Sequence, residues 1–389
     1  MNKRIGLIGC GNLGYPTAHY IGQLGFDALY VFDLDARKAA TLKRAVEKAY
    51  PALPVMDHLN TGELDVVVLS LSGPATIAFV TDERNHALFR KRPIFVSLGR
   101  PGYDDVAAHN ALDRYLAEHD IALLFGFGLE PGLVEILMND LASTCDAGTL
   151  HSLNAICGGV PQHPSSPLNY DLLFGDRLPA HNRAALIKIN GKQGYCQRFD
   201  MKEARFIDGV GLLDVYHDGL SPYLLGSPRF QAIPSIRQQT ARWPGFFDCV
   251  RNLIALGLLD EHALPGDTST PSDLIHGILT RNGKLARNRP DLSFVEVSAE
   301  HSSGERSMVR VLAKYDENTN LTGMAQLTSF LAAWTASKAI DLPSSCRAGV
   351  TLSHAFYDHD MTRELVTAYR EHVRCNVITS SRTPGAATA

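Results

Sequence analysis

The 389-residue sequence lacks the cysteine pattern of a disulfide-bonded or zinc-binding protein. Its seven cysteines are odd in number and scattered along the chain, and no two of them stand at CxxC spacing. Free thiols used in this way are typical of a reducing compartment. We therefore expect a cytoplasmic protein with neither disulfides nor a metal site.

The chain also lacks a long apolar run and an excess of basic residues. Only Ile5-Gly6-Leu7-Ile8 separates the basic N-terminus from the run of glycines that starts at Gly9, and no apolar run approaches the ~18–20 residues of a membrane helix. Lys and Arg number 37 against 41 Asp and Glu. We therefore expect a small-molecule partner, and neither a membrane nor a nucleic acid.

What is present is the composition of a globular protein. Hydrophobic residues make up 45% of the chain and charged residues 20%, so full cores can form. The length predicts two or three domains rather than one.

The first third alternates short apolar runs with segments of helical periodicity. The runs are rich in Val, Ile, Leu and Phe and are bounded by Gly, Pro or Asp, as buried strands are. This alternation predicts a parallel sheet covered by helices on both faces, the doubly wound α/β class. The predicted strands are Arg4–Gly9, Ala28–Phe32, Leu53–Met56, Val66–Leu71, Pro93–Leu98 and Ile121–Gly126, and the predicted helices are Leu13–Leu24, Ala36–Ala49 and Asp104–His119.

Residues 9–14 follow the first strand, open the first helix and have the pattern GxGxxG. Gly9 permits the tight turn, Gly11 lets the backbone approach a pyrophosphate, and Gly14 lets the helix lie close to the strand. The helix N-terminus adds positive potential for phosphates. A glycine-rich turn also occurs for packing alone, but here Asp33 stands 19 residues after Gly14 at the end of the second strand. This completes the dinucleotide-binding fingerprint of a Rossmann domain.

Asp33 also bears on the choice of cofactor. A carboxylate at this position accepts hydrogen bonds from ribose hydroxyls and repels a 2′-phosphate, which favours NAD over NADP. Arg37 is either a partner for that phosphate or a solvated helix residue. Small residues that end the fourth and fifth strands suit close contact with a cofactor or are simple turns. The predicted cofactor-binding residues are Gly9, Gly11, Asn12, Leu13, Gly14, Asp33, Ser70, Ser72 and Ser97.

Beyond Gly126 the pattern changes to strands that alternate with turns. Asn190-Gly191 and the stretch 302–305 supply turn chemistry, so at least two hairpins are expected. This pattern is typical of an α+β domain with a mostly antiparallel sheet. Its predicted strands are Leu168–Phe174, Leu186–Asn190, Gly194–Phe199, Ser293–His301 and Arg306–Tyr315, and its predicted helices are Pro131–Ser143, Pro244–Leu256 and Met324–Ile340.

Four short segments carry a family resemblance through their order and spacing. They are Gly128-Leu129-Glu130-Pro131-Gly132-Leu133, Cys157-Gly158-Gly159-Val160-Pro161, Ser166-Pro167-Leu168-Asn169-Tyr170 and Thr240-Ala241-Arg242-Trp243-Pro244-Gly245. Together with the glycine-rich start, this set resembles the saccharopine dehydrogenase / lysine 6-dehydrogenase family, which also includes carboxynorspermidine dehydrogenase. The resemblance covers nearly the whole chain.

The resemblance implies an order of domains. A Rossmann domain is expected at residues 1–126, an α+β domain for substrate binding and dimerisation at 127–322, and a segment that packs back on the Rossmann domain at 323–378. Residues 379–389 are expected to form a disordered tail. Because the family's second domain commonly supports dimerisation, the resemblance also implies a homodimer.

The resemblance further implies NAD(P)-dependent oxidation of a C–N bond of an amino acid or amine, or the reverse reduction of an imine. After Tyr170 many members have Trp-Ser-Pro, whereas this chain has Phe174-Gly175-Asp176. That departure concerns the identity of the substrate and not the type of reaction. Two alternatives stay open, which are carboxynorspermidine-type reductive coupling of an amine with an aldehyde and a non-catalytic NAD-binding regulatory protein.

An amino-acid substrate carries a carboxylate and an ammonium group, so the site is expected to offer an arginine and a carboxylate. Arg242 is either a residue that caps or bridges near the following helix or the carboxylate ligand. The motif favours the ligand, because a guanidinium binds a carboxylate through two parallel hydrogen bonds. Glu130 either binds the ammonium group or takes its proton, or it only stabilises a helix start. Cys157 is either a small buried hydrophobic residue or, as its flanking glycines suggest, a substrate contact, and it is not expected to act as a nucleophile. The catalytic prediction is Glu130, Cys157 and Arg242, and the substrate-binding prediction is Gly158, Asn169, Tyr170, Asp176 and Arg242.

Overall fold

The computed structural model describes residues 3–58, 64–86, 89, 93–102, 105–145, 148–164, 183–263, 268–281 and 290–382. By its internal contacts the chain divides into two compact units. Unit 1 comprises Met1–Asp140 and Ala325–Val373, and unit 2 comprises Leu141–Met324 and Arg374–Ala389.

The strands follow one another in chain order from β1 to β16. They are Arg4–Ile8 (β1), Ala28–Phe32 (β2), Val55–Met56 (β3), Val66–Leu69 (β4), Ile94–Ser97 (β5), Ala122–Phe125 (β6), Leu150–Pro161 (β7), Ala184–Ile189 (β8), Lys192–Gln197 (β9), Lys202–Ile207 (β10), Gly211–His217 (β11), Ser235–Arg242 (β12), Asp291–His301 (β13), Arg306–Lys314 (β14), Gly349–Leu352 (β15) and Cys375–Arg382 (β16).

The helices are numbered in the same way. They are Gly14–Gln23 (α1), Ala36–Ala49 (α2), Gly73–Thr81 (α3), Glu83–His86 (α4), Val106–Glu118 (α5), Leu133–Ser143 (α6), Pro222–Gly226 (α7), Pro228–Ala232 (α8), Phe246–Ala255 (α9), Pro271–Arg281 (α10), Gly323–Asp341 (α11), Ser353–Phe356 (α12) and His359–His372 (α13). No helix among these described residues is long and apolar enough to cross a membrane.

Unit 1 is built on a parallel sheet with the strand order β15-β6-β5-β4-β1-β2-β3. All four residues of β4 are buried, as expected for a strand covered on both faces. The order reverses between β1 and β4, the point at which such sheets bind their ligands. The predicted doubly wound α/β class is confirmed.

Helix α2 shows why the local sequence folds as predicted. Asp35 caps the helix, because its side chain accepts the N–H of Arg37 at 3.0 Å. Ala39, Leu42 and Val46 recur at helical spacing and are the buried residues of α2. The observed bounds of α2 and of β2 are the predicted ones.

Unit 2 is built on a mixed, mostly antiparallel sheet in the order β10-β11-β12-β7-β13-β14-β16, with β8 paired to β12 and β9. Strands β7 and β12 are its parallel pair. The expected hairpins are present as β8–β9 and β13–β14, and the first turns through Asn190 and Gly191, both at positive φ. The predicted α+β class is confirmed.

The two faces of this sheet carry different side chains. One face holds an apolar cluster that includes Val160, Ala241 and Phe294. On the other face Tyr216 packs with Phe246 of α9. We call this second side the α9 face.

Several predictions of secondary structure need correction. Strands β7, β10, β11, β12, β15 and β16 are additional to those predicted, and the predicted strand Leu168–Phe174 lies outside the described residues. The expected tail at 379–389 is wrong at its start, because residues 379–382 belong to β16 and pair with β14. Val377, Ile378 and Thr379 are β-branched, which suits an added edge strand.

Candidate functional site

The glycine-rich turn of unit 1 has the geometry that its pattern predicts. Gly9 has a φ of +97°, and its N–H donates to the carbonyl of Phe32 at 2.9 Å. A Cβ at Gly9 would lie 2.5 Å from the carbonyl oxygen of Ser70, and one at Gly14 would lie 3.1 Å from that of Gly9. Glycine is therefore required at position 9, and at position 14 the close approach of the backbone favours it.

Gly11 differs from its two neighbours. A Cβ placed there would meet nothing within 4 Å, so the space beside its backbone is open. Helix α1 begins just after it, with Leu13 as its N-cap, and no side chain of the cap bonds the first N–H groups. Open space beside Gly11 and a helix N-terminus fit a bound pyrophosphate.

The carboxylate of Asp33 joins two turns of unit 1. Its Oδ2 accepts the backbone N–H of Cys10 at 2.8 Å, and its Oδ1 accepts that of Asp35 at 2.9 Å. This holds the carboxylate at the end of β2 beside the glycine-rich turn, where a ribose would lie. Burial, reinforced by Asp33, raises the pKa of the Cys10 thiol to about 12, so this cysteine is not a nucleophile.

A cavity of about 310 Å³ opens beside the same turn. Gly11, Arg37, Lys38 and Thr41 are among its lining residues. The guanidinium of Arg37 is mostly exposed, and its Nε lies 3.2 Å from Oδ1 of Asp35. The rim of the cavity is thus basic. Of its two basic residues, only Arg37 was considered from the sequence as a partner for a phosphate.

The three predicted serines differ in what they do. Ser70 contributes its backbone to the close contact with Gly9, and Ser72 caps α3 by accepting the N–H of Ala75 at 3.4 Å. Ser97 is fully buried, and its hydroxyl bonds Thr76 at 2.8 Å and the N–H of Gly99 at 3.0 Å. The Ser97 hydroxyl is therefore used inside unit 1.

Glu130 lies in a partly buried ion pair that the sequence analysis did not anticipate. Nη1 of Arg100 donates to both carboxylate oxygens, at 3.1 and 2.8 Å. The Glu130 side chain is 11% exposed and that of Arg100 is 34% exposed. Arg100 follows β5 and Glu130 follows β6, so both stand at the carboxyl ends of neighbouring strands.

A second carboxyl group, Glu135, is buried close to this pair. Its Oε2 accepts the N–H of Gly132 at 2.6 Å, the reciprocal bond of a helix capping box. Burial, and then the charge of Glu130, raise the pKa of Glu135 to about 8. The turn that carries Glu130 is thus held by a carboxylic acid that stays protonated at neutral pH.

In unit 2 a row of polar side chains crosses the α9 face of the sheet. Tyr216 is directly opposite Thr240, and Thr240 is directly opposite Cys157. Cys157 is buried, and its Sγ accepts a hydrogen bond from Nε2 of the buried Gln238 at 3.5 Å. The hydroxyl of Tyr216 is fully buried and has no hydrogen-bond partner among the described residues.

Arg242 is the last residue of β12 and lies next to this row. Nη1 donates to the carbonyl of Ala241 at 2.8 Å, and the guanidinium carbon lies 5.7 Å from the centre of the Phe246 ring. Within the described part of the chain Arg242 forms no ion pair. Its charge is therefore available to an anionic group.

Asp218, in contrast to Arg242, forms ion pairs with two residues of opposite charge. Its Oδ1 lies 2.9 Å from Nη2 of Arg183 and 2.8 Å from Nε of Arg198, and its Oδ2 accepts the hydroxyl of Thr240. The Asp218 carboxylate is buried, so it needs these cations for stability. This cluster, like Arg100 and Glu135, was missed by sequence reasoning.

The remaining predicted substrate contacts are placed differently. A Cβ at Gly158 would lie 2.9 Å from the carbonyl oxygen of Ala241, so this glycine is explained by close strand packing. The other three, Asn169, Tyr170 and Asp176, lie outside the described residues. Within the described ranges no group of three or more His, Cys, Asp or Glu side chains is arranged to hold a metal ion.

The comparison with known families agrees with the resemblance. Residues 128–373 match the family model of the saccharopine dehydrogenase C-terminal domain. This match spans more than half of the chain, and the protein belongs to the saccharopine dehydrogenase family. The family predicted from the sequence motifs is confirmed. Dehydrogenases, after which the family is named, are oxidoreductases.

Two solved structures share the fold. The first is the apo form of saccharopine dehydrogenase (L-Glu forming) from Saccharomyces cerevisiae, with a TM-score of 0.72 and 16% identity over 97% of this chain and 100% of that chain. The second is homospermidine synthase from Legionella pneumophila in complex with NAD, with a TM-score of 0.62 and 10% identity over 97% of this chain and 92% of that one. At these identities the likeness concerns the fold.

Proposed function

We propose that the protein is an NAD(P)-dependent oxidoreductase that acts on a C–N bond of an amino acid or amine. The observation that carries this proposal is Arg242, a half-buried guanidinium without an ion-pair partner among the described residues, on the same sheet face as the buried Cys157. An arginine kept unpaired in this way fits the carboxylate of an amino acid. Membership in the saccharopine dehydrogenase family supports the reaction class.

The cofactor is proposed to be NAD, with NADP as the alternative. The residues that fit it are Gly11 with its open backbone, the N-terminus of α1 and the carboxylate of Asp33. A bound nicotinamide cofactor would supply the hydride acceptor or donor. The basic rim formed by Arg37 and Lys38 favours the alternative, because cations at this position suit a 2′-phosphate.

The chain's own residues then have to bind the substrate and move one proton. Arg242 binds the α-carboxylate through two parallel N–H donors. Within unit 1, Glu130 is held by Arg100 at the carboxyl end of the parallel sheet and is proposed to act as a proton acceptor. Cys157 and Gln238 form a buried polar contact on the same sheet face as Arg242 and are proposed to shape the pocket.

The test is an assay of cofactor reduction at 340 nm with NAD or NADP and a panel of L-lysine, L-saccharopine and polyamines. Turnover of a carboxylate-bearing amine with NAD is the expected result. Turnover only in the reductive direction, from an amine and an aldehyde, would favour the carboxynorspermidine-type alternative. A thermal shift with NAD but no turnover of any amine would favour a non-catalytic NAD-binding protein. Homodimer formation and a cytoplasmic location stay predictions.

A further inference from the structure

Asp214 and Arg242 are cross-strand partners that do not bond to each other. Asp214 of β11 is directly opposite Arg242 of β12 in an antiparallel pair, so both side chains leave the same face of the sheet. Opposite charges in such positions are about 5 Å apart at Cβ and ordinarily form an ion pair. None is formed here.

Lys202 explains why this pair is absent. Its Nζ lies 2.9 Å from Oδ2 of Asp214 and 2.5 Å from Oδ2 of Asp248, and it bonds both. Asp214 is the buried member, with its side chain 9% exposed, whereas the Asp248 side chain is 56% exposed. These two hydrogen bonds raise the pKa of Lys202, so it stays charged.

The position of Lys202 is built into the sheet. Lys202 lies on β10, directly opposite Tyr216 of β11, and its ammonium group lies 5.7 Å from the centre of the Phe247 ring. Lys202 therefore emerges on the α9 face, on the far side of Asp214 from Arg242. Asp214 is drawn to Lys202, and the Arg242 guanidinium rests on Phe246 instead.

We propose that Lys202 is a positioning residue that binds Asp214 and so keeps Arg242 available for the carboxylate of the substrate. This inference rests on the proposed function of Arg242. Without Lys202 the buried Asp214 carboxylate loses the ammonium group that it bonds, and the guanidinium of Arg242 on the opposite position of β12 can take its place. Asp214 would then act as an internal competitor of the substrate carboxylate.

The first experiment compares crystal structures of the wild type and of Lys202→Met. Methionine keeps the length and apolar stem of the lysine but removes its charge. The expected result is an Arg242–Asp214 ion pair in the variant and none in the wild type. An Arg242 that still lies on Phe246 in Lys202→Met overturns the inference, whatever the substrate.

The second experiment measures KM and kcat for L-saccharopine, the probe substrate, with NAD as the cofactor. Lys202→Met is expected to raise KM by about tenfold, equivalent to about 1.4 kcal/mol, with kcat nearly unchanged. Adding Asp214→Asn to Lys202→Met removes the competitor and is expected to restore KM. A double variant whose KM stays as high as that of Lys202→Met overturns the inference.

The matched control is Arg205→Met on the same strand. Arg205 carries the same charge but emerges on the opposite face of the sheet, where it pairs with Glu203 at 2.9 Å. Arg205→Met is expected to leave KM unchanged. A rise in KM equal to that of Lys202→Met would show that any loss of positive charge from this strand has the same effect, and it would overturn the inference. If Arg242→Lys leaves KM unchanged, the carboxylate site of the proposed function fails, and the crystal structures still decide the role of Lys202.

Discussion

The carboxylate of Asp33 accepts the backbone N–H of Cys10 at 2.8 Å and thereby ties the end of β2 to the glycine-rich turn. Its other oxygen accepts the N–H of Asp35, which caps α2. The same carboxylate thus orients both the loop that would hold a pyrophosphate and the helix beside the ribose. Its replacement should affect the cofactor more than the fold.

Asp33→Ser is expected to weaken NAD binding by about 1–3 kcal/mol, the range of hydrogen bonds to a charged group. The relative use of NADP is expected to rise, because the repulsion of a 2′-phosphate is removed while Arg37 and Lys38 remain. The measurement is the dissociation constant of each cofactor by calorimetry. Asp57→Ser, an exposed carboxylate of unit 1, is the control. A wild type that already prefers NADP would mean that Arg37 rather than Asp33 governs the site.

Arg242→Lys tests the carboxylate ligand. Lysine keeps the charge but cannot offer two parallel donors, so kcat/KM is expected to fall by about 1.5–3 kcal/mol for the amino acid turned over best. The melting temperature and NAD affinity are expected to stay close to those of the wild type. Arg237→Lys is the matched control, because Arg237 lies on the same strand and pairs with Glu203. Lost stability with an unchanged KM would show that Arg242 is structural.

Glu135 predicts a pH dependence of stability. In the unfolded chain the carboxyl group of Glu135 loses its proton near its ordinary pKa of 4.5, whereas burial and the charge of Glu130 raise its pKa in the fold to about 8. Between these pH values the unfolded state binds fewer protons, so the free energy of unfolding falls as pH rises. Glu135→Gln removes this loss, on the order of one kcal/mol per pKa unit, and keeps an acceptor for the N–H of Gly132.

The measurement for Glu135 is urea unfolding of the wild type and variant at about pH 5 and about pH 8. The advantage of Glu135→Gln is expected at the higher pH and not at the lower one. Glu47→Gln, an exposed carboxyl in the same unit, controls for the loss of a charge. An equal effect of Glu135→Gln at both pH values would contradict a protonated Glu135.

The parallel sheet of unit 1 was predictable because its signals are local. Each of its apolar runs is bounded by turn residues, and Asp35 marks the start of α2 as a cap. Strand β15 is the exception, since Gly349–Leu352 pairs with β6 across more than two hundred residues of sequence. Four residues without a local partner carry too little periodicity to predict such a pairing.

The sheet of unit 2 was harder to predict because the candidate site itself interrupts the apolar pattern. Strand β12 has buried Gln238 and Thr240 where a strand of an ordinary core has Val or Ile. Arg242 and Cys157 were found through family motifs. Lys202 and Asp214 were missed because only the pairing of β10 with β11 brings them together. Local polarity that breaks a strand pattern is expected at functional sites.

Gly9 and Gly11 allow the structural and functional roles of the glycine-rich turn to be separated. Gly9→Ala places a Cβ 2.5 Å from the Ser70 carbonyl oxygen at a φ of +97°, so it is expected to lower the free energy of unfolding by about 1–3 kcal/mol. Gly11→Ala meets nothing within 4 Å, so its effect on stability is expected to stay within about 0.5 kcal/mol. Its methyl group would occupy the open space beside the backbone that a pyrophosphate needs, and NAD affinity is expected to fall by about tenfold or more. Urea unfolding and calorimetric NAD titration of both variants make the comparison. A Gly11→Ala protein that is stable and binds NAD like the wild type would place the pyrophosphate away from this turn.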